Sequence, residues 1–265
     1  MDYKMNLLFT ICARAGSKGV RGKNSRQFLG LPLCYYTLAA YKLFCEVHGS
    51  NYNQITLALN TDSEDLRGQA ENSGVDFIYV KRREFLAGDA VSKTDVIKDT
   101  VKEAEADQGI KFDVVVDIDL TSPLRTAADI EGVISALRNN NFADVAFSAT
   151  NARRLPFFNM VRVCDDRSCE LVIKSEYVSR QQAPECFDMN ASIYAYKNEF
   201  ITSNATKRVF DGKAVLYKMT DTAVLDIDHE EDFELLEVLA RYFFDKNPDY
   251  GMVEETAKKL CRDRL

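Results

Sequence analysis

Short apolar runs alternate along this chain with longer stretches whose apolar residues recur at helical spacing. Met5-Asn-Leu-Leu-Phe-Thr-Ile-Cys12 reads as a buried first strand, and Leu33 to Phe44 carries the spacing of a helix. Gln54-Ile-Thr-Leu-Ala-Leu59 predicts a second strand, ending at Asn60-Thr-Asp-Ser63, a segment that resembles the cap of a helix from Glu64 to Ser73. Asp76 to Val80 reads as a strand, Lys93 to Asp107 as a helix, Val114 to Asp119 as a buried strand, Ala127 to Asn139 as a helix and Val145 to Ala149 as a strand. This rhythm predicts an α/β fold with a doubly wound, mainly parallel sheet.

The rhythm breaks between residues 151 and 188. Arg153-Arg-Leu-Pro-Phe-Phe158 and the polar Asp165-Asp-Arg-Ser168 read as an arm leaving the sheet. Asn190 to Tyr196 and Ala214 to Met219 return as strands, and Glu230 to Phe244 predicts a helix with Leu235, Leu236, Leu239 and Phe243 as its apolar stripe. One domain over residues 1–265 with an inserted arm at 151–188 is the expected organisation. Ligands of such sheets bind beyond the carboxyl ends of the strands. The segment after the first strand, Asn60-Thr-Asp62 and Asp119-Leu-Thr-Ser-Pro123 are therefore expected to converge.

Composition narrows the class. With 265 residues and 46% hydrophobic content the chain can bury a large core. A net charge of −7, from 41 acidic and 34 basic residues, argues against a nucleic-acid partner. The seven cysteines are scattered without a Cys-x-x-Cys pair, and two histidines make no zinc pattern, which fits a reduced cytoplasmic setting. No signal peptide is evident and no apolar run approaches the roughly 18 residues needed to span a membrane.

Against that acidic background, the segment following the first strand stands out. Arg14, Lys18, Arg21 and Lys23 share ten residues with Gly16, Gly19 and Gly22. Glycines let backbone amides turn inward as a nest for an anion, and the cations add full charges there. A polyphosphate is the expected ligand; the alternative is a solvated basic loop. A P-loop needs Gly-x-x-x-x-Gly-Lys-Ser/Thr, whereas five residues separate Gly16 from Gly22 and Asn24 takes the Ser/Thr position. The spacing Gly-x-x-Gly-x-x-Gly also departs from the dinucleotide fingerprint.

Other groups carry chemistry only in company. Asp226 and Asp228 are two apart, which puts them on one side of an extended segment and suits a divalent cation; alternatively Asp228 caps the next helix. Asp117 and Asp119 repeat that geometry as a metal-facing or sugar-facing pair. Thr121-Ser-Pro-Leu-Arg125 offers hydroxyls and a guanidinium to a ligand, or is a turn stiffened by Pro123. Arg82 and Arg83 are candidates for nucleotide contact, and Arg180-Gln-Gln182 is polar enough to line a pocket.

In order along the chain, Ala13-Arg-Ala-Gly-Ser-Lys-Gly19 with Gly22-Lys-Asn24, Arg82 with Leu86-Ala-Gly-Asp89, Thr121-Ser-Pro-Leu-Arg125, Arg180-Gln181, Asn190 with Ile193-Tyr194, and Asp226-Ile-Asp228 resemble the acylneuraminate cytidylyltransferase family over nearly the whole length. The resemblance implies a Rossmann-like, nucleotide-diphospho-sugar-transferase-like fold, an arm that mediates homodimerisation, and transfer of CMP from CTP to a nine-carbon acidic sugar. Residues Ala13, Arg14, Ala15, Gly16, Ser17, Lys18, Gly19, Lys23, Asn24 and Arg82 would hold the nucleotide. Asp119, Thr121, Ser122, Arg125, Arg180, Gln181 and Asn190 would face the sugar. Arg14, Lys23, Asp226 and Asp228 would carry the chemistry, with Asp226 and Asp228 binding Mg²⁺, which activates the sugar hydroxyl and stabilises phosphate charge. Guanylyl transfer to a sugar phosphate, or nucleotide binding without catalysis, are the alternatives.

Three departures bear on the acceptor. Asp119-Leu120 stands where the family has Gln-Pro, its glutamine facing the sugar; Ala15 and Ala191 replace glycines; Phe187 replaces a frequent tyrosine. A carboxylate at residue 119 would repel the acceptor's own carboxylate unless something neutralises it.

Overall fold

The computed structural model describes residues 4–16, 20, 22–88, 91–221, 227 and 229–262. Its central sheet has seven strands. β1 (Asn6–Cys12) lies between β4 (Gln54–Thr61) and β6 (Val114–Ile118), and both pairings are parallel. β5 (Ile78–Lys81) extends the sheet in parallel beyond β4. On the other side the order continues through β10 (Phe187–Lys197), β7 (Val145–Asn151) and β11 (Ala214–Lys218). β11 runs parallel to β7, and β10 is antiparallel to both of its neighbours. The chain thus moves outward one way from β1 to β5 and the other way from β6, so the order reverses between β1 and β6. At that point the loops diverge and leave a crevice.

Alternation along the strands sorts the core onto two faces. Leu7, Phe9 and Ile11 of β1 pack with α1 (Leu33–His48), α2 (Glu64–Asn72), α4 (Ala127–Arg138), α6 (Glu230–Lys246) and α7 (Pro248–Arg262). Leu8, between them, packs on the other side with Ile97 and Val101 of α3 (Lys93–Gln108) and Ile201 of the short α5 (Asn198–Thr202). The expected cap is present, since the Ser63 hydroxyl accepts from Leu66 N at 3.2 Å. The stripe of α6 is rotated from the expected one: Phe233, Leu236, Ala240 and Phe244 are buried, whereas Leu235 is 52% exposed. Phe233 and Phe244 close on Phe28 and Tyr36, so contacts with those rings decide which side of the helix faces inward.

Two small hairpins complete the chain. β2 (Gln27–Phe28) and β3 (Leu31–Pro32) are joined by Leu29 and Gly30, both at positive φ. β8 (Val161–Val163) and β9 (Cys169–Leu171) form a separate antiparallel ribbon within the segment expected to leave the sheet. The chain returns from it directly into β10 without a crossover helix, which is why β10 runs against β7. Among the described residues no helix is long and apolar enough to cross a membrane.

Candidate active site

The segment after β1 is fastened from three sides. Ala13 N donates to Asn60 O at 3.0 Å, Ala15 N to the Asp62 carboxylate at 2.7 Å, and Asn24 Nδ2 to Arg14 O at 3.0 Å. Gly22, at φ 63°, makes the left-handed turn before Lys23 that a side chain would strain. Lys23 Nζ donates to Ile227 O at 2.6 Å, joining this loop to a residue more than two hundred positions later. Arg14 Nη1 approaches Ala87 O at 3.4 Å.

Arg82 leaves β5 on the same side. Its Nε donates to Asn60 Oδ1 at 3.0 Å, and Asn60 Nδ2 donates to Thr100 Oγ1 at 2.9 Å, so β4 and α3 fix the guanidinium. Burial lowers its pKa from the ordinary arginine value, with the nearby Arg14 acting in the same direction and Asp62 against it.

The facing wall comes from β6 and the start of α3. Lys93 Nζ lies 2.8 Å from Asp117 Oδ2 and 2.7 Å from Asp119 Oδ2. Thr10 Oγ1 donates to Asp117 Oδ1 at 2.9 Å, and the Thr121 amide and hydroxyl donate to Asp119 Oδ1 at 2.9 and 2.7 Å. Burial alone would push the Lys93 pKa down, but the two carboxylates outweigh it and hold the ammonium well above its usual range. Burial would likewise raise Asp119; Lys93 and the Thr121 donors instead keep it well below the usual carboxylate range. Beside them burial pushes the Cys12 thiol up to about 12, so it is no nucleophile at neutral pH.

These two walls enclose one cavity of about 350 Å³, lined by Ala13, Arg14, Gly16, Lys23, Asn24 and Arg82 opposite Lys93, Asp119 and Thr121, with Leu86, Gly88, Val91 and Val96 between. It opens at the carboxyl ends of β1, β4, β5 and β6, where the three segments were expected to meet. A larger cavity of about 750 Å³ runs along the outer side of α3 and shares only Leu86 and Val91 with it. The smaller one holds the converging charges and is the candidate site.

Several expected residues are elsewhere. Arg125 is fully buried and donates to backbone carbonyls of Asp119, Ser122 and Ser192, which locks the β6 exit against β10. Ser122 contributes its carbonyl to that lock and does not line the cavity. Asn190 is buried between β10 and β7, where its Oδ1 accepts from Ser148 Oγ at 2.6 Å. Arg180 and Gln181 are exposed on the arm, with the Arg180 guanidinium held by the carbonyls of Ala152 and Arg153. Ser17, Lys18, Gly19, Asp226 and Asp228 lie outside the described residues. Among the described residues no cluster of three or more His, Cys, Asp or Glu forms a metal cage.

Lys93 is the functional side chain that sequence reading missed. Its position marks only a helix start, and the carboxylates it joins are more than twenty residues away. One signal was available: a cation in the first turn of a helix opposes the helix dipole and needs an external reason.

The family model for cytidylyltransferase matches residues 8–256. The chain is 34% identical over 238 residues to post-translational flagellin modification protein B of Campylobacter coli, covering 89% of this chain and 95% of that one. It is 33% identical over 239 residues to the CMP-N,N'-diacetyllegionaminic acid synthase of Campylobacter jejuni, covering 88% and 94%. An N-acylneuraminate cytidylyltransferase of Streptococcus agalactiae is 24% identical over 98% of this chain and 58% of its own length. Among solved structures, a CMP:2-keto-3-deoxy-manno-octonic acid synthetase complexed with CTP superposes with a TM-score of 0.62 at 16% identity, over 89% of this chain and 99% of that one, a likeness of fold. With a family model spanning nearly its whole length and two relatives above 30% identity, the chain belongs to the cytidylyltransferase family and is a nucleotidyltransferase.

Proposed function

We propose that this protein transfers CMP from CTP to a sialic-acid-like nonulosonic acid and releases pyrophosphate. The observation that carries this reading is the single crevice with Arg14, Lys23 and Arg82 on one wall and Asp119, Thr121 and Lys93 on the other. One wall suits a triphosphate and the other an uncharged, hydrogen-bonding sugar edge. The legionaminic acid synthase from Campylobacter jejuni, 33% identical, supports an acceptor of that class. In the reaction an acceptor hydroxyl oxygen bonds to the α-phosphorus, the bond to the β-phosphate bridge breaks, and the hydroxyl proton passes to solvent. Such a transfer depends on positioning and on stabilising phosphate charge. Arg14, Ser17, Lys18 and Lys23, with the amides of Gly16 and Gly19, bind the triphosphate, while Asn24 braces the loop and Arg82 orients the nucleotide.

Asp226 and Asp228 hold Mg²⁺, a cation that takes one or two carboxylates and leaves its other positions to water and phosphate oxygens. The fit is supported by Ile227, the residue between them, whose carbonyl accepts from the phosphate-loop residue Lys23. When bound, the metal supplies charge neutralisation at the phosphates and lowers the pKa of the attacking hydroxyl. The arm over residues 151–188 pairs two subunits, so that Arg180 and Gln181 serve the partner's site, and the enzyme works in the cytoplasm.

Pyrophosphate release from CTP, GTP, UTP and ATP, each with N-acetylneuraminic and N,N'-diacetyllegionaminic acids, tests the reading. Turnover is expected with CTP and is lost by about 10²–10³-fold in Lys23→Ala, the scale of removing one preorganised charge donor. Asp228→Asn should weaken Mn²⁺ binding measured by electron paramagnetic resonance while leaving the fold intact. No turnover with CTP and any such acid would falsify the proposal.

A further inference from the structure

Lys93 is the first residue of α3, where Ser92 caps the helix and a cation works against the helix dipole. The position is stabilised by the two carboxylates that grip its ammonium, Asp117 fully buried and Asp119 only 25% exposed. Two carboxylates and one ammonium leave the cluster with one net negative charge. An ammonium carries three N–H donors. The ammonium donates one to Asp119 at 2.7 Å and stands in ion-pair contact with Asp117, whose Oδ2 accepts no hydrogen bond; no other described residue accepts from it, and the side chain, 38% exposed, lines the cavity. The Asp119 carboxylate already accepts three bonds, two from Thr121 and one from Lys93, which leaves it room for about one more. This wall therefore offers one strong donor and one strong acceptor side by side under a net negative charge.

We propose that Lys93 is a specificity-determining residue for the acceptor, donating an uncommitted N–H to an uncharged oxygen of the sugar acid while Asp119 takes a neighbouring hydrogen-bond donor. The proposal rests on the cytidylyl-transfer reading above. A hydroxyl or an acylamido carbonyl satisfies this pair. A carboxylate does not, because the cluster's net charge repels it and Asp119 has no proton to offer. The wall thus orients the acceptor with its carboxylate turned away, and the ammonium neutralises the charge that otherwise makes Asp119 an obstacle to an acidic sugar.

The test is a comparison of acceptor analogues on the full-length protein. Lys93→Met combined with Asp119→Asn keeps the net charge of the cluster and removes the donor. Wild-type and variant proteins are assayed for pyrophosphate release with CTP and N-acetylneuraminic acid, with analogues deoxygenated at single carbons, and with the N-deacylated sugar. The variant should raise the acceptor KM by about 10–100-fold, as expected for a hydrogen bond to a charged group, and leave the KM for CTP within twofold. One analogue should lose at least tenfold in kcat/KM with the wild type and less than twofold with the variant; a deoxy sugar identifies a hydroxyl and the deacylated sugar an acyl group. Lys93→Arg, which keeps a cation against both carboxylates, guards against misfolding and should raise the acceptor KM several-fold with the CTP-induced thermal shift unchanged. An unchanged acceptor KM in these variants overturns the role of Lys93 alone, as does an equal rise in the KM for CTP. Absence of wild-type turnover with any of the acids overturns the cytidylyl-transfer reading and this proposal with it.

Discussion

Arg125 donates to Ser192 O, next to Ala191, at the junction of β6 and β10, and residue type alone reveals the role of neither. An arginine in Thr-Ser-Pro-Leu-Arg looks like a ligand for phosphate or sugar. Here three backbone carbonyls, those of Asp119, Ser122 and Ser192, take its donors and tie the exit of β6 to the bulge in β10 between Met189 and Tyr194. The guanidinium fixes Asp119 from behind, so its effect on the acceptor is one of positioning. Ala191 lies in that bulge at φ 51°, a left-handed conformation that costs a residue with a Cβ about 1–2 kcal/mol. Ala191→Gly removes the strain, and part of the gain is offset by the freedom glycine has in the unfolded chain. A net stabilisation of about 0.5–1 kcal/mol is expected as a higher urea midpoint at unchanged slope. A lower midpoint would show that the methyl group contributes packing that outweighs its backbone cost.

At the level of elements, β1, β6 and β7 were legible as short apolar runs buried on both faces, and α2, α3 and α4 as longer segments with one buried stripe between polar ends. Periodicity did not capture α7, although Tyr250, Val253, Ala257 and Leu260 form a buried stripe. Gly251 in the first turn and the charged residues around the stripe dilute the signal, and the helix is held chiefly by packing on α1 and α6. Nor does propensity tell how α4 meets β11. Gly132 is inside α4, where helix rules favour alanine by up to about 1 kcal/mol. A Cβ there would fall 2.2 Å from the Tyr217 ring of β11, far inside contact distance. The ring must move and give up its packing on the helix, so Gly132→Ala should destabilise by about 1–3 kcal/mol. Calorimetric melting checks the sign: a raised midpoint would mean that Tyr217 swings away at no cost. The intervening glycine is legible in the sequence, but the tyrosine that requires it is eighty-five residues away.

Across the whole molecule, the strand rhythm was enough to expect the segments after β1, β4 and β6 to converge beyond the carboxyl ends of the strands, while the reversal of strand order between β1 and β6 came only with the structure. The carboxylate bridge by Lys93 was not legible, because it depends on the distance between α3 and β6, which no local pattern encodes. The arm is the opposite case, since its polarity breaks in the sequence mark it but only the structure gives it a surface. Met160, Val161, Val163, Ile173 and Val178 are all exposed there, Val163 at 70% and Val178 at 82%. Exposed apolar residues on and beside this ribbon suit an interaction surface, and the pairing of two subunits proposed above would cover them symmetrically. Val163→Glu combined with Val178→Glu places like charges on that surface in both copies. The double variant should sediment as a monomer where the wild type sediments as a dimer, with its CTP-induced thermal shift retained, since Arg14, Lys23 and Arg82 belong to the sheet of each subunit. Turnover should fall with dissociation, because Arg180 and Gln181 would no longer reach a partner. A monomer with full turnover would confine every required residue to one chain, and a wild type already monomeric would assign the ribbon to a different partner.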